Sequence, residues 1–360
     1  MTDKTDPAQK TLGAPKAPVA QKTLLITGAT GFLGRHVLET LHATQPDTEA
    51  LVLVRRRADW NRQNWAAPLR RVDVIEGGVT GMEGWTGDRR LASVTGIVHL
   101  AALVKHSRRD TAEVYETNVD GTLRMVRLAA KLGCRMVFVS TSGTVGCFDN
   151  PNAKADEDSP YAARIVGHWP YYDSKIQAER QARALASHLG VELVILRPPI
   201  LLGPGDHRFR SSGHVLRYLR GNYPFLIEGG MSFTDIRDVA PAILRAVDHP
   251  AARPVYHLPG TDCTVAEFFE LCRQVCGVEP PKKVLPFEIA HRLATAAEAA
   301  AHALGRKSPL PDPVVIEMGR RYWGLTSRHA KAELGFDPRP ARQTLVDTIA
   351  WLQANHPELK

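Results

Sequence analysis

Short apolar runs alternate with stretches of helical periodicity through the first half of the chain. Thr23–Thr27 is an apolar run that stops at a cluster of glycines, and Phe32–His42 follows with apolar residues at helical spacing. Ala50–Val54, Arg71–Glu76 and Thr95–Ala101 read as three further strands. Thr111–Leu132 reads as one long helix, with Val114, Val119, Leu123, Val126 and Leu128 apolar. Met136–Ser140 is a fifth strand, Tyr171–Leu189 a helix and Val191–Leu196 a sixth strand. Strands apolar on both faces, joined by helices, predict an α/β fold with a parallel sheet covered on both sides. Beyond Pro198 the alternation loosens. Asp238–Asp248 reads as a helix with Asp238 near its cap. Thr264–Cys276 reads as another, opened by a capping box between Thr264 and Glu267. Leu285–Leu304 is Ala-rich and amphipathic, with Phe287, Ile289 and Leu293 as candidate pocket or membrane-surface contacts.

Composition narrows the class. The 360 residues, 44% hydrophobic and 23% charged, suit a globular protein with a large core. No apolar run is long enough to span a bilayer. Residues 1–21, rich in Lys, Ala, Pro and Thr, lack the apolar stretch of a secretory signal and are expected to form a disordered tail. The five cysteines, Cys134, Cys147, Cys263, Cys272 and Cys276, form neither a disulfide framework nor a metal motif, which suits a cytoplasmic protein without a metal. The net charge of +8 is spread thinly, so nucleic acid is not an expected partner. Arg55-Arg56-Arg57 is its densest cluster.

That cluster has a local meaning. Gly28-Ala29-Thr30-Gly31-Phe32-Leu33-Gly34 lies directly between the first strand and the first helix. Glycines there permit a tight turn and close approach of a dinucleotide pyrophosphate, which also meets the helix N-terminus. Gly28, Thr30, Gly31, Phe32 and Leu33 are therefore candidate cofactor contacts. The end of the second strand selects between the nicotinamide cofactors, an acid there holding ribose hydroxyls and a base a 2′-phosphate. Val54 is followed by arginines and no carboxylate, so Arg55 and Arg56 predict NADP(H) in preference to NAD(H).

Tyr171 and Lys175 stand one helical turn apart, downstream of the hydroxyl run Ser140-Thr141-Ser142. A phenol is a weak acid or base at neutral pH, and a cation one turn away is expected to stabilise its phenolate. A strand-end hydroxyl then polarises the substrate oxygen, where negative charge develops. In this order the elements point to nicotinamide-dependent carbonyl chemistry.

The chain resembles the extended short-chain dehydrogenases/reductases of the NAD-dependent epimerase/dehydratase superfamily, from about Thr23 to Leu352. The glycine segment, His99-Leu100-Ala101-Ala102, Asn118-Val119-Asp120-Gly121-Thr122, Ser140 to Gly146, Tyr171 to Lys175, and Arg197-Pro198-Pro199 with Gly203-Pro204-Gly205 carry the likeness. It implies a Rossmann-type doubly wound domain over residues 22–200. Residues 201–360 would mostly form a smaller substrate-binding lid, with some segments returning to the first core. By resemblance Thr141 is the polarising hydroxyl, or Ser142 if the loop is aligned one residue differently. Asn118 would bind a water that feeds protons to Lys175, and Lys175 would also hold the nicotinamide ribose. Ala101 and Ala102 would line the adenosine side of the cleft, and Pro198 to Ile200 would face the carboxamide. One departure stands out. Gly77-Gly78 replaces the usual Gly-Asp pair whose Asp meets the adenine.

Within the superfamily the branch resembling dihydroflavonol reductases and 3β-hydroxysteroid dehydrogenases reduces lipophilic ketones. Nucleotide-sugar epimerases and dehydratases clamp a diphosphate with an arginine where this chain has Met231, although Arg237 is a candidate displaced clamp. The tail, Tyr322-Trp323 and Ala330 to Pro338, is similar to the first branch. A dinucleotide-binding regulator is the non-catalytic alternative, usually marked by loss of the Tyr or Lys. The expected partners are a small hydrophobic substrate and, among proteins, a second copy of the chain. His168 could reach the substrate, but a loop histidine without such a role is the favoured reading.

Overall fold

A computed structural model describes residues 22–306 and 308–359. The tail expected over residues 1–21 lies outside them.

Seven parallel strands form the main sheet: β1 (Thr23–Thr27), β2 (Glu49–Val54), β3 (Val72–Glu76), β4 (Val94–His99), β5 (Arg135–Val139), β6 (Leu193–Arg197) and β7 (Val255–His257). Their spatial order is β7-β6-β5-β4-β1-β2-β3. This is the doubly wound arrangement, and the order reverses between β1 and β4. In sheets of this kind the ligand crevice lies at the carboxyl ends of the strands, where the order reverses. Because both faces are covered, successive residues of one strand enter different cores. Leu24 and Ile26 pack under the helices Phe32–Thr44 and Ile236–Asp248. Leu25 packs with Met125 and Ala178, under Gly121–Leu132 and Pro170–Leu189. All three are fully buried, each contributing about 1.5–3 kcal/mol.

The structure shifts several predicted boundaries for identifiable reasons. The sixth strand starts at Leu193, not Val191, because Gly190 adopts φ +68° and the Val191 amide closes the preceding helix on the Ala186 carbonyl at 2.9 Å. The long helix predicted over Thr111–Leu132 is interrupted. Ala112–Tyr115 passes through a π-turn, Glu116–Asp120, before Gly121–Leu132 continues. Asn118 sits in that turn, a kind of irregularity found often at functional sites. Asp235, not Asp238, caps the helix Ile236–Asp248, accepting from the Arg237 amide at 2.9 Å, while Asp238 pairs with Arg339. The capping box is formed as read, with the Glu267 amide on Thr264 Oγ1 at 3.1 Å and the Thr264 amide on Glu267 Oε2 at 2.8 Å.

The chain beyond Pro198 builds a second layer around the crevice. Gly230–Asp235 pairs parallel with Ile200–Leu202 and antiparallel with Thr261–Thr264. The helices Val265–Cys276 and Ala341–Asn355 bury Phe268, Phe269, Leu345 and Ile349 against this sheet. Tyr322–Trp323 pairs with Cys147–Phe148 beside the site. Strand β7 and the helix Ile236–Asp248 rejoin the main sheet.

Candidate active site

The glycine turn is fixed by close backbone approach. Gly28 has φ +70°, and a Cβ there would stand 2.8 Å from the Ala101 amide nitrogen. A Cβ on Gly34 would stand 2.4 Å from the Gly28 carbonyl oxygen, so only a glycine lets the helix sit this close to the strand. The helix Phe32–Thr44 starts at Gly31 with no side-chain cap and no acid in its first turn. Its leading amides thus keep an anion-binding character, which fits a pyrophosphate. Phe32 packs edge-on to His36 at 5.5 Å, and Leu33 packs on the core. Two arginines that no motif singled out also meet this turn. Arg208 donates to Thr30 Oγ1 at 3.2 Å, and Arg35 contacts His207 at 2.9 Å, drawing the 203–210 loop over the glycines.

The end of β4 is tied to the turn through one buried histidine. Thr27 Oγ1 accepts from the amides of Leu100 (3.2 Å) and Ala101 (3.1 Å), so its own hydrogen goes to His99 Nδ1 at 2.8 Å. His99 Nε2 meets Thr122 Oγ1 at 3.2 Å, and Thr122 donates to the Asn118 carbonyl at 2.6 Å. The consistent assignment places the ring hydrogen on Nε2. Burial, then the nearby Lys175, pushes His99 down to about 3, so it stays neutral. Ala102 is exposed beside this strand end.

The catalytic candidates converge where β5 ends and the helix Pro170–Leu189 begins. Thr141 lies beside the Tyr171 phenol, close enough for its hydroxyl to favour the ionised form. Ser142 is instead buried, with its amide on the Pro198 carbonyl at 2.8 Å. Of the two hydroxyls, that of Thr141 is the one beside the phenol. Lys175 is buried, donates to the Val139 carbonyl at 3.1 Å and lies 4.7 Å from the centre of the Phe138 ring. Burial lowers it to about 8, with the charge of Glu179 opposing. The phenol of Tyr171 is pushed up to about 12 by burial, against the opposing effect of the Thr141 hydroxyl. This corrects the direction read from the sequence. The ammonium faces Val139 and Phe138, so desolvation decides the sign and the phenol holds its proton. Asn118 spans the site. Its Oδ1 accepts from the Leu103 amide at 2.8 Å, and its Nδ2 donates to the Leu103 carbonyl at 3.0 Å and Ser174 Oγ at 2.9 Å. Ile200 is 38% exposed at the start of its strand, close behind Pro198.

A buried ion pair sets the helix against the sheet. Glu179, one turn after Lys175, accepts from Arg197 Nε at 3.1 and 3.2 Å and from Thr144 Oγ1 at 3.1 Å. Arg197 also contacts His257 Nε2 at 3.2 Å.

Of the three arginines, only one is uncommitted. Arg56 forks onto Asp59 at 2.9 and 3.0 Å, and Arg57 donates to the Val74 carbonyl at 2.8 Å. Arg55 is exposed and makes no hydrogen bond among the described residues; its side chain approaches Gly78. Packing does not exclude the missing Asp, since a Cβ at Gly78 would meet nothing closer than 3.9 Å; the crowding is at its neighbour. A Cβ at Gly77 would stand 2.3 Å from the Trp85 ring, and Trp85 Nε1 donates to the Gly78 carbonyl at 3.0 Å.

Above Tyr171, the 103–110 loop and two lid helices meet at Glu317. Its carboxylate accepts from Arg108 at 2.6 and 2.9 Å, Trp169 Nε1 at 2.8 Å and His291 Nε2 at 3.1 Å, with His168 at 3.5 Å. Burial opposes the charge, but these hydrogen bonds outweigh it and hold the carboxyl at about 2. His168 is thus placed on a lid carboxylate. His106 packs edge-on to Tyr171 at 5.8 Å, and its buried Nδ1 has no partner among the described residues. Tyr172 stacks on Trp323 at 5.2 Å.

Comparison with known proteins gives a consistent picture. Residues 24–258 match the family described as NAD dependent epimerase/dehydratase family. The chain is 28% identical over 345 residues to a provisionally named dihydroflavonol 4-reductase of Synechocystis sp., covering 93% of this chain and 95% of that one. It is 27% identical to the 4-hydroxy-2-methyl-3-oxo-4-farnesyl-3,4-dihydroquinoline-1-oxide ketoreductase of Stigmatella aurantiaca, covering 90% and 94%. A solved dTDP-glucose 4,6-dehydratase of Streptomyces venezuelae, with NAD and TYD bound, superposes with a TM-score of 0.71 at 23% identity, covering 94% and 100%. That likeness speaks to the fold.

Proposed function

The chain belongs to the NAD dependent epimerase/dehydratase family and is an NAD(P)-dependent oxidoreductase, and from this premise we propose that it reduces a lipophilic ketone to a secondary alcohol with NADP(H). The observation that carries the reading is the state of the sugar-nucleotide clamp. Met231 packs into the lid core, and Arg237 is held by Asp235 at 2.7 Å and Asp347 at 2.6 Å. A diphosphate would have to displace two carboxylates to reach that guanidinium. The names of the relatives, a ketoreductase and a dihydroflavonol reductase, agree with reduction.

In this reading the glycine turn and the helix behind it hold the pyrophosphate, and Arg55 binds the 2′-phosphate. A dinucleotide held there would supply a hydride to the carbonyl carbon. Thr141 and Tyr171 hold the carbonyl oxygen, and Tyr171 gives it a proton. Burial keeps that phenol protonated until the oxygen becomes basic. Lys175 holds the ribose and returns a proton to the phenol. The amide of Asn118 is taken up by Leu103 and Ser174. A water feeding Lys175 would therefore use the Asn118 backbone carbonyl, beside the bond from Thr122. Trp169 and Ile200 supply apolar surface near the ketone, and His106 adds a ring whose Nδ1 is without a partner among the described residues.

The test uses NADPH deuterated at the transferring position and a panel of hydrophobic ketones. Deuterium at the alcohol carbon, with one cofactor consumed per product, is the expected outcome. Conversion of a nucleotide sugar without net cofactor loss would overturn the proposal in favour of an epimerase or dehydratase.

A further inference from the structure

Seven large hydrophobic side chains are exposed among the described residues, and five of them lie on one part of the lid: Val284, Ile289, Leu293, Leu304 and Val315. The helix Phe287–Ala303 explains the clustering. It is packed on one side only, through Ala290, Ala294 and Ala301. Ile289 (50% exposed), Leu293 (47%) and Leu304 (69%) recur with exposed Ala296 and Ala300 at every third or fourth position. At 100° per residue these positions share an arc of about 80°, beside the packed face, along a helix about 25 Å long. Such a stripe is unlike the rest of this surface, where apolar side chains are isolated.

The exposed charges around the stripe are predominantly basic. Lys282, Lys283, Arg292, Arg306 and Arg320 are exposed around it, against the exposed carboxylate of Glu288. The helix's other acid, Glu298, is half-buried and lies 3.6 Å from Arg109. No described helix is long and apolar enough to cross a membrane. We propose that this face docks on an anionic lipid bilayer, with the helix lying in the headgroup layer and its apolar stripe entering the acyl boundary. The charge decides for lipid over a second copy of the chain: a two-fold contact would bring the same basic groups face to face.

Docking there has a structural route to the site. The helix reaches Glu317 through His291, and Glu317 holds Arg108 on the 103–110 loop and Trp169 just before Tyr171. The surface that would touch lipid is thus two contacts from the residues around the phenol. The proposal itself rests on the exposed stripe and its charges, not on the ketone chemistry.

The experiment is co-sedimentation of the full chain with phosphatidylcholine vesicles, with and without phosphatidylglycerol. Binding should require the anionic lipid and fall in high salt. The Ile289→Glu/Leu293→Glu variant should lose about tenfold or more in partitioning, and Arg292→Glu/Lys282→Glu should lose the preference for phosphatidylglycerol. Both variants change exposed side chains, so circular dichroism and the thermal midpoint should match the wild type. Failure to bind anionic vesicles would overturn the proposal, as would unchanged binding in both variants. A stripe variant that turns a dimer into a monomer would assign the face to a second copy and overturn it too.

Discussion

Lys175 gives the sharpest test of the site's energetics. Its ammonium is buried beside a neutral phenyl ring, with one carbonyl as its hydrogen-bond partner. The amine is at 10.5 when free and about 8 in the fold. At about 1.4 kcal/mol for each tenfold change, the difference is about 3 kcal/mol of charging cost in the ligand-free protein at pH 7. Replacing Lys175 by Met removes the charge and keeps the volume. Losing the hydrogen bond to Val139 subtracts about 1 kcal/mol. The Lys175→Met protein should therefore be about 2 kcal/mol more stable than wild type at pH 7, while its turnover collapses.

The pH dependence fixes the cause. Between pH 8 and 10.5 the unfolded chain holds the proton and the folded chain has released it. Wild-type stability from this group therefore rises with pH across that window, and the burial penalty is fully present below it. Urea midpoints measured at pH 7 and pH 10 should show the advantage of Lys175→Met shrinking toward zero. A variant less stable than wild type at pH 7, or an advantage that does not change with pH, would refute the reasoning.

Other expectations follow from the same geometry. Tyr171→Phe should lower turnover by more than about a hundredfold, with cofactor affinity nearly unchanged by fluorescence titration. Arg55→Ala should weaken NADPH by about 1.5–3 kcal/mol and leave NADH binding alone, as read by calorimetry; equal affinity of the wild type for both cofactors would sink the assignment. Gly143→Ala should destabilise the fold by about 1–3 kcal/mol, because its Cβ would stand 2.1 Å from the Tyr172 ring; a urea midpoint equal to wild type would show that the ring moves freely.

The sheet was legible because its signal is local. Each strand core is a run of apolar residues, and each break is marked by glycine or polar residues a few positions away. The misreadings were local competitions. Val191 has strand character, but its amide is taken by the helix behind it. Asp238 looks like a cap, but Asp235 stands at the helix start and Asp238 is drawn to Arg339. The interruption at Asn118 has no sequence period. Gly121, directly after it, packs close on Val79, where a Cβ would lie 2.7 Å away.

The chemistry and the substrate surround differ in legibility for a physical reason. The candidates Thr141, Tyr171 and Lys175 occupy positions set by one strand end and one helical turn, so spacing announces them. Glu317 acts through Arg108, 209 positions away, and nothing in either neighbourhood marks the other. Arg55, Arg56 and Arg57 look equivalent in the sequence, yet Asp59 and Val74 occupy two of them and leave one. The direction of the Tyr171 shift was misread for the same reason: the sequence shows which groups are near, but not how much water remains between them. Desolvation is a property of the assembled site. It also explains why the site is costly to the fold. Ser140 Oγ and His106 Nδ1 are buried without partners among the described residues, and the Lys175 ammonium is buried with one. Ser140 follows β5, Lys175 donates to the last carbonyl of that strand, and His106 packs on Tyr171, so all three stand around the candidate site. Binding energy is then largest where the ligand-free fold is least satisfied, so stabilising changes at these positions should come at the expense of turnover.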